Sequence, residues 1–281
     1  MGKISEVRPS PIAGLWYSAD GQQLAKQIQQ FIDLAETPPI LGRVVGLIAP
    51  HAGHRYSGRT AGHAYRLVQG KAYDIVCVVS PLHAYFPAPV LTSAHASYAT
   101  PLGEARIDRD AVQSLGDLLA EESISLTALS NDDEHSLEIQ LPFLQCALAS
   151  SFDLLPVMVR RKDWRMARIL GAALAKVLSG RNVLLVASTD LSHFYPLQIA
   201  NQLDSEMLSQ FQAFSPQGVL QAEENGSGFA CGAGAVATIM ETARAMGADS
   251  VQVVHYSTSA EETGDTSSVV GYGAAVIYQR E

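Results

Sequence analysis

Val44-Val45-Gly46-Leu47-Ile48-Ala49-Pro50-His51-Ala52-Gly53-His54 is the stretch whose reading decides the fold. Its mostly apolar beginning shows no polar alternation, which predicts a strand covered on both faces, as in a parallel sheet. Pro50 cannot continue a central ladder, and the next residue is an imidazole. Gly53 frees the backbone to turn tightly beside it. A buried strand that delivers a histidine to its C-terminal end is where α/β proteins tend to place chemistry.

Working outward, the same ending recurs twice. Residues 74–80 (DIVCVVS) are followed by Pro81-Leu82-His83, and residues 182–190 (NVLLVASTD) by Leu191-Ser192-His193. Between these strands the apolar spacing predicts helices over 24–32, from an N-cap at Ser57 to about Val68, over 108–120, over 163–178 and over 196–214. Residues 134–141 read as the start of a helix that meets Pro142. Ser215-Pro216 opens a short helix, and the glycine-rich stretch from Gly228 opens a long one to about Met246. Further strands are expected at 88–93, 153–159, 251–257 and 269–278. Strands alternating with helices, with no linker and no repeat, predict a single α/β domain over residues 1–281. Its central sheet would be largely parallel or mixed and flanked by helices.

Composition narrows the function classes. The chain has 281 residues, 47% hydrophobic and 17% charged, with a formal net charge of −9. That balance argues against nucleic acid, because phosphate binding needs clustered Lys and Arg. No apolar run reaches the ~18 residues of a membrane span. The start, MGKISEVRPSPIAGLWY, lacks the apolar core of a signal peptide, and Glu6 breaks the myristoylation pattern after Gly2. Three cysteines, odd in number and far apart, make no disulfide framework. A cytoplasmic protein with free thiols is expected.

If the three histidine-terminated strands are parallel neighbours, His51, His83 and His193 converge. One such histidine would be read as bonded within its own loop. Three of the eight histidines in equivalent positions point to a shared site. Cys231, at the glycine-rich start of a helix, is the fourth candidate, since the helix N-terminus favours a thiolate. A thiolate with two neutral imidazoles can ligate Zn, Fe or Cu. Asp190 is either a carboxylate that orients an imidazole or a turn residue. His54, Arg55 and Tyr56 are expected beside His51, behind it or against the substrate. Glu134, His135 and Glu138 either line the pocket or form a buried network. Cys77 and Cys146 read as core, and His63, His95 and His255 as structural. A hydrolase with Cys231 as nucleophile and His193 as base would leave His51 and His83 without a role.

With these residues assembled, the chain resembles the Memo-like family of the AmmeMemoRadiSam gene set. The pieces that carry the resemblance are APHAGHRYSG from Ala49, SPLH from Ser80, DDEHSLEIQLPFL from Asp132, STDLSH from Ser188 and GFACGAGAV from Gly228. It runs essentially full length from Arg8. That family is similar in fold to the class III extradiol ring-cleaving dioxygenases, which hold Fe(II) with two histidines and a carboxylate. The resemblance implies that His51 and His83 are metal ligands and that Cys231 stands in place of the carboxylate. His193 would match the acid–base histidine, with Asp190 nearby. The implied cofactor is a divalent ion, Fe(II) first, with Cu or Zn as alternatives. The implied function is metal-dependent oxidoreduction, or else a binding or signalling module that retains the pocket for a small molecule or peptide.

Overall fold

In the computed structural model, which describes residues 6–281, the opening stretch is a strand at the centre of a mixed sheet. The first half of the chain forms β1 (Val7–Arg8), α1 (Gly21–Asp33), β2 (Gly42–Ala49), α2 (His54–Arg66), β3 (Ile75–Pro81), β4 (Val90–Ser93), β5 (Ser97–Thr100), β6 (Gly103–Arg106), α3 (Arg109–Glu121), β7 (Leu126–Leu129) and α4 (Gln140–Ala147). The second half forms β8 (Asp153–Val159), α5 (Trp164–Val177), β9 (Val183–Ser188), β10 (His193–Tyr195), α6 (Leu197–Gln212), α7 (Pro216–Asn225), α8 (Ala233–Ala245), β11 (Ser250–Thr258), α9 (Ala260–Thr263) and β12 (Val269–Arg280).

The large sheet runs β10-β12-β2-β9-β3-β8-β4-β7, with β11 also paired to β12. Its centre, β2-β9-β3-β8, is parallel, while β12 and β4 join antiparallel. The expected α/β class with a mixed sheet and flanking helices is what the chain adopts. The continuous apolar runs have a simple cause. In β3, Ile75, Cys77 and Val79 face a core shared with α3, α5 and α8, while Val76 and Val78 face one shared with α1, α2 and α4. Alternate side chains point to opposite faces, so a strand covered on both sides needs apolar residues throughout.

Three local expectations need correcting. The helix after His51 begins at His54, with Gly53 as N-cap, one turn earlier than a start at Ser57. The Ser57 hydroxyl instead donates to the Ala52 carbonyl. Residues 134–139 are not helical: α4 starts at Gln140, which puts Pro142 in the first turn, where its missing N–H leaves no bond unmade. The short strands β1, β5, β6, β7 and β10 were not anticipated. Of these, β1, β5 and β6 form a separate small sheet. The readings of a leader and of myristoylation begin in residues 1–5, which lie outside the described residues. Among the described residues no helix is long and apolar enough to cross a membrane.

Candidate metal centre

The parallel order β2-β9-β3 brings the C-terminal ends of the three histidine-terminated strands together. Just beyond them, ligand atoms of His51, His83 and Cys231 all lie within 4.8 Å of one another. The His51 Nε2 and Cys231 Sγ are 3.1 Å apart, and the rings of His51 and His83 meet edge to face at 5.3 Å. Ligands bonded at about 2.0–2.3 Å to one ion stand no more than ~4.6 Å apart, so this set is within a few tenths of an ångström of that reach.

Each imidazole is held from behind so that Nε2 is the free lone pair. The Ser188 hydroxyl donates its proton to the Ser136 carbonyl at 2.6 Å and accepts from Gln140 Nε2 at 2.8 Å. Its remaining lone pair faces His51 Nδ1 at 3.0 Å, so Nδ1 must carry the proton. Gln140 is fixed in turn, donating to the Pro50 carbonyl and accepting from Tyr65. His83 Nδ1 lies 2.9 Å from Glu134 Oε1, and the His83 backbone N–H donates to Oε2 at 2.6 Å. A carboxylate can only accept, so His83 also presents Nε2.

Glu134 is therefore a positioning group behind His83 and does not line the cavity. Burial alone would raise its carboxyl. The hydrogen bonds and charge of His83 and the Ser136 N–H outweigh that and hold it well below the usual carboxylate range. The segment that carries it is anchored by Arg8, which is almost fully buried. Arg8 binds Glu138 Oε2 at 2.5 Å, Asp132 Oδ1 at 2.8 Å and the Glu134 carbonyl at 2.8 Å. Glu138 completes this network by accepting from Ser10 and Tyr17, away from the cavity.

Cys231 precedes Gly232, the N-cap of α8. A Cβ at position 232 would overlap the Ser188 carbonyl oxygen, so glycine lets the thiol's segment press against the end of β9. The Asp190 N–H donates to Sγ at 3.2 Å, and the Cys231 N–H donates back to the Asp190 carbonyl. The expected help from the helix start does not prevail: burial, then the Asp190 charge, push the thiol far above its ordinary value. That speaks against an activated cysteine nucleophile. A bound cation would supply the missing charge and deprotonate the thiol. Asp190 Oδ1 accepts from the backbone of His51 at 2.7 Å, and burial raises its carboxyl to about 7.

A cavity of about 530 Å³ opens over the group, lined by His51, His83, His135 and His193 together with Asp190. Burial, and then neighbouring imidazoles, take His51 well below 6.5, and burial takes His135 to about 4 against the pull of Glu134. Burial and then His83 lower His193 as well. These three imidazoles are neutral at neutral pH, as metal ligands and proton acceptors must be. Tyr56 lines the mouth, 39% exposed. His54 does not reach the cavity: its ring is buried against Tyr17 and Phe143. His63 and His255 stack on each other, with ring centroids 3.8 Å apart, outside the cavity lining. Cys77 is buried in β3.

The reading of the residues missed Ser188, Gln140 and Arg8. A signal was present, because a serine inside VLLVAS and a glutamine inside EIQLPFL interrupt apolar runs, and a buried polar group needs a partner.

A family model described as "Memo-like protein" matches residues 8–276. A MEMO1 family protein of Methanopyrus kandleri is 34% identical over 97% of this chain and 99% of its own length. MEMO1 family proteins of Nitrosopumilus maritimus and Methanothermobacter thermautotrophicus are 31% and 32% identical, each over 95% of this chain and 98% of their own length.

Proposed function

The chain belongs to the Memo-like protein family, and from that premise we propose that it is a metal-binding oxidoreductase acting on a small ligand in the cavity. His51, His83 and Cys231 hold the ion in this reading. The observation that carries it is the pair of Nε2 lone pairs, each aimed by a hydrogen bond to Nδ1, beside a thiol that needs a cation to ionise. Two imidazoles and a thiolate suit Fe(II), Cu or Zn, and we put Fe(II) first because the sequence resemblance implies a site like that of the extradiol dioxygenases.

When bound, a redox-active ion supplies electron transfer and polarises the ligand. The chain's own residues do the rest. His193 stands in the same cavity as a neutral imidazole placed to take a proton from the ligand, while His135, lowered to about 4, is the weaker acceptor beside it. Asp190 holds the His51 and Ala52 backbone in place. A reducing compartment such as the cytoplasm suits a thiol ligand.

Protein purified without oxygen should contain close to one ion per chain by elemental analysis, and Cys231→Ala should lose it while keeping its circular dichroism. Wild-type protein that stays metal-free when offered Fe(II), Cu and Zn would overturn the proposal. A second reading, a binding module without turnover, is favoured by the exposed apolar residues at the cavity mouth. Oxygen uptake by Fe(II)-loaded protein with catechol-type compounds separates the two, since a pure binder consumes none.

A further inference from the structure

The mouth of the cavity has a chemistry of its own. Leu15 is 81% exposed, Phe194 75% and Tyr56 39%, and all three line it, with Trp16, Val270 and Tyr272 further along the wall. Among the described residues, no lysine or arginine lines it. Two cations that belong to this region are already paired, Arg55 with Glu262 at 3.0 Å and Lys162 with Glu223 at 2.8 Å. The one carboxylate in the lining is Asp190. Away from the ion, an anionic group on the ligand would find no counter-charge along this wall, and a phosphate would lack the guanidinium fork that usually receives it.

Phe194 adds an independent observation. Its φ is +65°, in the left-handed region that bulky side chains avoid. The strain comes from a register shift between His193 and Tyr195 against β12. This irregularity leaves His193 in the cavity wall and Phe194 at the rim, the two rings edge to face at 5.8 Å. In the free protein the exposed ring recovers little packing for the strained backbone. Strain of this kind persists where it serves a site.

We propose that the cavity takes a ligand whose body is uncharged and apolar, and that Phe194 is a specificity-determining residue that covers that body. This rests on the metal-binding reading above for the anchoring of the ligand's polar end. Covering the ring would remove apolar surface from water on both partners, which offsets the backbone strain at the moment of binding. The preference is for length and against charge.

The test loads the protein with Zn(II) and titrates it calorimetrically with hydroxamates, whose head group chelates the ion. Each methylene buried is worth about fourfold in affinity, so hexanohydroxamate should bind at least about tenfold more tightly than acetohydroxamate. Phe194→Gly should remove at least about threefold of that gain and leave acetohydroxamate binding and the melting temperature no lower. A hydroxamate of equal length whose far end carries a phosphonate should bind no better than acetohydroxamate. Affinity independent of chain length, or tighter binding of the phosphonate, overturns the proposal.

Failure to take up Zn(II), or to bind acetohydroxamate once loaded, strikes the metal reading instead. The rim is then decided on metal-free Trp164→Phe protein, which leaves Trp16 as its only tryptophan. Its emission should respond saturably to 1-hexanol and not to hexyl phosphate. Silence toward hexanol, or a response to the phosphate, overturns the proposal.

Discussion

The Ser188 hydroxyl has one proton and two lone pairs, and Ser136, Gln140 and His51 use all three. The tautomer of His51 is thus decided by a residue that never touches the cavity. Ser188→Ala or Gln140→Leu should weaken metal binding by about 10–100-fold, the usual effect of losing such a partner. Competition with a chelator measures the loss. Nitrogen-15 shifts of the His51 ring in metal-free protein should show the Nδ1–H form giving way to a tautomer mixture. Asp190 titrates with a folded value of about 7, raised by burial above its ordinary 3.8. A raised acid contributes stability that is fully present below the unfolded value and is lost as pH rises through about 7. In chelator-treated protein, Asp190→Asn keeps an oxygen for the His51 N–H and loses the charge. It should therefore be more stable to unfolding than wild type at pH 8, by up to a few kcal/mol, and show no such advantage at pH 4. His135 acts in the opposite sense: a base lowered to about 4 loses its contribution as pH falls from 6.5 toward 4.

The segment 132–138 has no helix or strand to shape it, and Arg8 takes over that work from 124 residues away in sequence. Arg8→Met leaves Glu138 buried and uncompensated. It should cost about 3–5 kcal/mol in urea unfolding and also weaken metal binding, because Glu134 and His83 lose their fixed frame. Gly232→Ala tests the other side of the site. Its methyl would collide with the end of β9, so metal loading should fall sharply even where the fold survives. The strands β2, β3 and β9 and their histidines were legible in the sequence because burial on both faces leaves an unbroken apolar run. The loop around Glu134 was not. EHSLEIQL has helical spacing, but its conformation is set by Arg8 and His83, partners far away in the chain. The positive φ of Phe194 was equally hidden, since it comes from pairing with β12 rather than from any local turn signal.

On the scale of the whole molecule, the large sheet draws strands from residue 42 to residue 280 and carries a core on each face. The last strand is paired with β2, so the early and the late part of the chain cover each other within one sheet and neither can be removed without exposing the other. The single-domain expectation then has a direct test. Unfolding of metal-free protein followed by far-ultraviolet dichroism and by tryptophan emission should give coincident midpoints. Two separated transitions would show independent units. Added ion should raise the common midpoint with concentration, since the unfolded chain keeps no such cluster.

The placement of β2 between β9 and β12 also fixes when the centre can exist during synthesis. His51 leaves the ribosome 180 residues before Cys231, and both flanking strands of β2 are made later than it is. At about 5–20 residues per second, the imidazole waits roughly 10–40 s for its thiol partner. The nascent chain can offer no finished ligand set in that interval. Any metal taken up by the proposed centre is consequently bound only after Cys231 and α8 have been made, governed by whatever ion pool the chain meets from then on.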